Sequence, residues 1–317
     1  MSKSRIAFTL VILFICPFIS CTSNNEAAGL QIKKLGYPSA SSIEYIDGKL
    51  YLVGDDATSI LILDTALSVI DSIPFVAYPG RRIPKDVKPD FEASAFYGDN
   101  FYLFGSGSLS PYRNHGLRHN FKTRRNDSVD LESIYLKAKD SGIEQINIEG
   151  ACFVQEKLVL VNRGNKGYPR NQLIITGERS LYHPDSIQVA VIPFEVQDDT
   201  ASFKGISGLC YSKTSDKLIL TVSTEDTRNS YDDGTIGKSY LWIINNVSGK
   251  LDDQSIKPNR RLDLEYIDHR FKGQKIESAT IIMETETLIY LALVADNDDG
   301  SSTIFKLSIP KITAHSE

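Results

Sequence analysis

Along this chain, short apolar runs alternate with polar loops in a grammar that repeats five times. Each unit opens on a phrase in which an oxygen-bearing side chain leads into a strand: SASSIEYID, DFEASAFYG, INIEGACFV, KGISGLCYS and QKIESATII. A second run follows in each unit: LYLVG, FYLFG, LVLVN, LILTV or LIYLALV. After a polar loop, most units add a third, such as SILILD, QLIIT, SYLWII or TIFKLSI. Alternation and β-branched content mark these as strands, and DG, GD and TSDK as tight turns. The period of roughly 50 to 70 residues belongs to propeller blades rather than helical solenoids. Further runs such as SVIDSIPF and SIQVAVIPF complete about four strands per blade.

The expected fold is all-β: a five-bladed β-propeller, with six blades a poorer fit, in one domain spanning residues 29–317. A β-sandwich would leave the repeated phrase unexplained. The last unit ends before its fourth strand, and GLQIKKLG at residues 29–36 is placed to supply it, closing the ring and removing an exposed edge. The pattern predicts one helix, LESIYLKAKDSG at 131–142, decorating the second blade. The basic stretch YPGRRIPKDVKPD reads as a long inter-blade loop in which prolines are comfortable.

The N-terminus has a different pattern. Lys3 and Arg5 precede the apolar core IAFTLVILFICPF, Ile6 to Phe18, which is too short to span a bilayer comfortably. It ends in FISC followed by polar TSNNEAAG. This resembles a bacterial lipoprotein signal: residues 1–20 removed, Cys21 acylated and 21–28 a flexible tether, although Phe18 stands where such signals usually carry Leu. A plain secretory peptide is the alternative. The expected location is the bacterial cell envelope, with the membrane reached through the lipid alone.

Composition adds little except by exclusion. The net charge of −5 becomes more negative once Lys3 and Arg5 are removed, which argues against a phosphate-backbone partner and so against nucleic acid. Of four cysteines, Cys16 falls in the signal and Cys21 would carry lipid. Cys152 and Cys210 hold equivalent places in consecutive units, so they point the same way and read as buried packing rather than a disulfide.

Aligning the five phrases superposes Ser41, Glu92, Glu149, Ser207 and Glu277. In a propeller these begin the innermost strands and form a ring near the channel mouth. Three ionised carboxylates there repel by about 3 kcal/mol per pair at ~6 Å and an effective dielectric of about 20. The ring must bind a cation, take up protons or spread apart. Carboxylate and hydroxyl oxygens together suit calcium, so these five are the expected metal ligands. The competing reading makes each Glu a staple to backbone amides of the next blade. Loops between second and third strands should bring Asp55, Asp56, Arg113, Arg163, Asn165, Lys166, Arg170, Glu225, Asp226, Asp232 and Asp296 above the ring. Guanidiniums beside carboxylates make a plausible phosphoester site. In that reading Asp55 or Asp56 is the base, Arg163 and Arg113 hold phosphate, and Glu225 orients water or substrate.

The order Ser-Glu-Glu-Ser-Glu resembles the calcium-dependent apyrases, secreted nucleotidases on a five-bladed propeller with a central calcium held by residues in this order. LYLVGDDATSILIL, LVLVNRG and STEDTRNSYDDGTIGKSYLWI are similar to that family's first, third and fourth blades. The resemblance implies nucleotide or phosphoester hydrolysis. Two groups depart from it: Ala57 replaces an Arg, and GSGSLSPYR replaces a Gly-Lys-Glu-Trp run. The chain also looks like uncharacterised bacterial propeller lipoproteins and, through IEGA, faintly like esterase-like phytase domains.

Other motifs fail. GSGSLS precedes no helix, NRGNKG lacks the Lys-Ser/Thr ending of a phosphate loop, and no Gly-x-Ser-x-Gly elbow exists. DNDDGSS starts like an EF-hand but has Leu307 at the closing Glu position. His115 and His119 read as surface polar residues of a loop. The expectation is a lipid-anchored monomer with a central calcium that hydrolyses a small phosphoester. The alternatives are a non-catalytic propeller that binds an envelope ligand or protein, and a glycosidase with two facing carboxyls.

Overall fold

The computed structural model describes residues 29–195, 203–225, 236–297 and 300–311. The predicted repeats fold into five sheets of four antiparallel strands. The first comprises β2 (Ala40–Ile46), β3 (Lys49–Gly54), β4 (Ser59–Asp64) and β5 (Val69–Pro74). The second holds β6 (Phe91–Tyr97), β7 (Asn100–Gly105), β8 (His115–Asn120) and β9 (Arg125–Asp130). The third holds β10 (Ile148–Val154), β11 (Lys157–Asn162), β12 (Gln172–Gly177) and β13 (Ala190–Pro193). The fourth holds β14 (Lys204–Ser212), β15 (Lys217–Glu225), β16 (Ile236–Asn245) and β17 (Arg260–Asp263).

The fifth blade closes the ring as the sequence predicts. Its strands β18 (Ile276–Glu284), β19 (Leu288–Asp296) and β20 (Ser302–Pro310) come from the C-terminal end, and β1 (Gln31–Leu35) completes it, with Ile32 opposite Phe305. Ser302 fastens the seam: its Oγ donates to the Tyr37 carbonyl and accepts from the Ala40 N–H, both at 2.8 Å.

The core lies between blades rather than at the axis. Val159, Val161 and Leu173 of the third blade meet Leu209, Leu220 and Trp242 of the fourth. Alternation within each strand sends one set of side chains to each neighbouring blade, so every sheet is buried on both faces. The predicted helix forms as α1 (Glu132–Asp140), with Ile134, Tyr135 and Ala138 packed beside the second blade. A short α2 (Leu264–Ile267), unannounced by periodicity, is capped by Asp263, which accepts from the N–H groups of Glu265 and Tyr266.

The histidine reading needs correction. His115 and His119 lie on β8 rather than in a loop, and His119 is buried with Nδ1 2.7 Å from Asn126 Oδ1. The second blade hides its outer strands in polar sequence, HGLRHN and RNDSVD, which defeats a hydrophobic pattern. Both cysteines of the body are free and buried, Cys152 between the third and fourth blades and Cys210 between the fourth and fifth.

Candidate functional site at the channel mouth

The repeated oxygen-bearing residue has a shared backbone cause. In every innermost strand the register skips one residue against its partner, and the skipped residue is Ser41, Glu92, Glu149, Ser207 or Glu277. Each is therefore the extra residue of a β-bulge, a device that re-aims a side chain away from the sheet's alternation. The phrase is a bulge written five times.

The two residue types then do different work. Ser41 Oγ donates to the Phe91 carbonyl at 2.5 Å, and Ser207 Oγ to the Ile276 carbonyl at 2.7 Å. Each serine thus ties its blade to the residue just before the next blade's glutamate. The staple between blades is thus a serine hydroxyl on a carbonyl, where the sequence suggests a glutamate on backbone amides.

The glutamates meet cations of the chain. Glu149 accepts from Asn147 Nδ2 at 2.6 Å and lies 3.5 Å from Arg163 Nη1. Arg163 Nη2 reaches Glu225 at 2.9 Å and Ser223 Oγ at 3.1 Å. Lys275 Nζ sits 3.0 Å from Glu277 and 3.5 Å from Glu225. This half of the mouth is a covered, alternating chain of acid and base. Burial raises the proton affinity of Glu149 to about 7, with Arg163 opposing and Glu277 adding to the rise. Burial also raises Glu277, against the pull of Lys275. Arg163 and Lys275 are disfavoured as cations by burial, yet the surrounding carboxylates hold both firmly protonated.

Glu92 stands apart. No described residue gives it a hydrogen bond or an ion pair, and its carboxyl is pushed well above the usual range by burial, then by Asp90, Asp55 and Glu149. One oxygen from each of Asp55, Asp90 and Glu92 lies within 4.8 Å of the others. Lys88 bridges two of them, paired with Asp55 and 2.7 Å from Asp90. Arg113 Nη1 holds the other Asp90 oxygen at 2.7 Å and Ser108 Oγ at 2.8 Å. Asp55 is raised to about 6 by burial, with Lys88 opposing. Its Oδ1, like Asp56 Oδ1, is covered and has no hydrogen-bond partner among the described residues. Asp56 itself is held by Arg82 Nε at 2.6 Å.

The structure therefore brings Asp55, Glu92, Glu149, Arg163, Arg113, Glu225 and Glu277 together, while Ser41 and Ser207 turn their hydroxyl protons to neighbouring carbonyls. Asn165 is buried in its own loop, donating to Gln145 and accepting from Gly167 and Tyr168. Arg170 points to a side cavity. Asp226, Asp232 and Cys21 lie outside the described residues.

Sequence reasoning missed Asp90, Asn147 and Lys275. A signal was present: each stands two residues before its bulge glutamate, where the strand enters the mouth. Arg82 and Lys88 came from the basic inter-blade loop, which turns out to deliver cations to the mouth rather than to solvent alone.

The far end of the channel is a smaller space of about 160 Å³ walled by all five blades, with Glu44, Cys152, Cys210 and Thr280 among its residues. Glu44 is pushed up to about 8 by burial, eased by a hydrogen bond from Ser94.

Fold and mouth define a five-bladed propeller with a charged axial site. Residues 36–309 match the Family of unknown function (DUF6929), and the chain belongs to that family. Among solved structures it is similar to the glutaminyl cyclase of Myxococcus xanthus, at 7% identity over 89% of this chain and 97% of that one, with a TM-score of 0.50. A duf4221 family member from Bacteroides vulgatus matches at 11% identity over 90% and 98% of the two chains, TM-score 0.41. Virginiamycin B lyase from Staphylococcus aureus matches at 10% identity over 88% and 99%, TM-score 0.39. At such identities the likeness is one of fold. No curated protein matches.

Proposed function

We propose that the channel mouth binds a hard divalent cation, calcium foremost, between Asp55, Asp90 and Glu92, and that the protein is a cation-dependent binding propeller for a small polar ligand. The observation that carries this reading is the convergence of three carboxylate oxygens around a Glu92 that no described residue contacts by a hydrogen bond or an ion pair, Lys88 opposing its rise only at longer range. Hard oxygen donors, with water completing the shell, fit calcium by ligand type. The donors differ from the five ring oxygens that the sequence suggests, because two of those serve as staples and two are neutralised by Arg163 and Lys275.

Calorimetric titration of the mature chain with calcium chloride tests it, paired with thermal melting in the presence and absence of EDTA. Saturable heat and a calcium-dependent rise in Tm, both lost in Glu92→Gln, are expected. Absence of heat with melting indifferent to EDTA overturns the reading.

Phosphoester hydrolysis is less favoured by the geometry. Both guanidiniums expected to clamp phosphate already hold carboxylates, Arg113 on Asp90 and Arg163 on Glu149 and Glu225. Calcium-dependent release of phosphate from a nucleoside diphosphate or phytate would restore it. The proposal keeps the protein in the cell envelope, tethered through Cys21; labelling with a palmitate analogue, lost in Cys21→Ser, checks that part.

A further inference from the structure

A second cavity, of about 490 Å³, opens at the seam between the third and fourth blades, away from the axis. Its size falls in the range of small-molecule sites, which combine apolar walls with a few convergent polar groups. The walls are Pro169, Val191, Pro193, Phe194 and Phe203, with the edge of Trp242. They are held rigidly. Phe194 bridges to Ile256 of the fourth blade, and Asn171 fixes three backbone groups: its Oδ1 accepts from Gly164 and Ile206, and its Nδ2 donates to the Lys204 carbonyl.

Two of the three charged residues among the described lining are cations. Arg170 lines the cavity and forms no ion pair with a described carboxylate, its guanidinium lying 5.8 Å from the Tyr168 ring. Lys204 lines it too, with Nζ 5.8 Å from the Tyr240 ring. The Trp242 indole N–H, in a residue only 1% exposed, has no acceptor among the described residues. Arg261 stacks over that indole at 5.2 Å. Among the described lining residues the one carboxylate, Glu195, faces Lys257 at 3.5 Å. Apolar walls with a cationic rim complement an apolar body ending in a single negative charge.

We infer that this cavity is a binding site for a small apolar carboxylate, an acyl or aryl acid, with its body against Phe194 and Phe203 and its head toward Arg170 and Lys204. It is independent of the cation reading of the mouth, with which it shares only a wall. Gly205, next to Lys204, packs on the Arg163 side chain so closely that a Cβ there would strike Nε.

The chain contains one tryptophan, so Trp242 reports on the cavity directly. Octanoate titrated into the mature chain, in EDTA so that the mouth is silent, should shift Trp242 fluorescence saturably. 1-Octanol should bind at least tenfold more weakly. Arg170→Gln with Lys204→Gln should weaken octanoate at least tenfold and leave octanol unchanged. Should that double variant fail to fold, Val191→Phe, which narrows the cavity without touching a charge, should cause the same loss. Fluorescence that ignores millimolar octanoate, octanol binding as tightly as octanoate, or full affinity in the charge-removed variant overturns the inference.

Discussion

Arg163 Nη2 lies 2.9 Å from a carboxylate oxygen of Glu225, joining the third blade to the fourth by an ion pair with both side chains under 10% exposed. Truncating one partner of such a pair strands the other charge in a medium that cannot solvate it. Arg163→Met should lower the unfolding free energy by about 3–5 kcal/mol in urea denaturation. Arg163→Met with Glu225→Gln should lose less than the sum of the two single changes, since the second removes the charge that the first strands.

The serine staples separate two roles that the same residues could play. Ser41→Ala and Ser207→Ala each leave a covered carbonyl, of Phe91 or Ile276, without its hydroxyl donor. Each should cost about 1–3 kcal/mol of stability. Neither should change calcium affinity measured by calorimetry. A large loss of affinity in either variant would make the serine a ligand after all.

The architecture was legible because a propeller repeats its grammar, and a repeat can be aligned to itself within one chain. That alignment located all five bulge residues. It did not tell which bulge side chain tethers a neighbour and which meets a charge, because that depends on groups arriving from elsewhere. Lys275 and Asp90 could be read from the same alignment two positions earlier. Lys88 and Arg82 could not, since they reach the mouth from an irregular loop whose path no periodicity describes. The outer strands of the second blade escaped because their residues are polar on a solvated edge.

The raised proton affinity of Glu44 predicts how stability varies with pH. Its carboxyl moves from 4.5 to about 8, chiefly through burial. Between those values the folded chain keeps a proton that the unfolded chain has released, so stability from this group is complete below pH 4.5 and is lost as pH rises through about 8. The slope approaches about 1.4 kcal/mol per pH unit for one proton. Glu44→Gln should flatten the Tm profile between pH 5 and 8 and raise Tm at pH 8. Asp268, lowered to about 2 by Arg270, has the opposite sign: its contribution is present at neutral pH and fades as pH falls toward 2.

Lys88 is the cation that the acidic cluster already owns, paired with Asp55 and Asp90. A divalent ion must share or displace that ammonium. Lys88→Met should therefore tighten calcium binding by about tenfold, equivalent to about 1.4 kcal/mol, while making the ion-free chain less stable. Titration calorimetry and melting in EDTA read the two effects separately. Unchanged affinity would mean that the ion and the lysine occupy different places.

The fifth blade joins the first described strand to the last, since β1 pairs with β20 and Ser302 is fastened to Tyr37 and Ala40. During synthesis β1 emerges before the other described strands and must wait for β2 to β19 before its partner exists. A chain stopped before Ser302 would leave a raw strand edge at both sides of the gap, an invitation to clumping in whatever compartment receives it. Completion of this ring is thus a checkpoint on the propeller itself: its last strands decide whether its first ones ever find shelter.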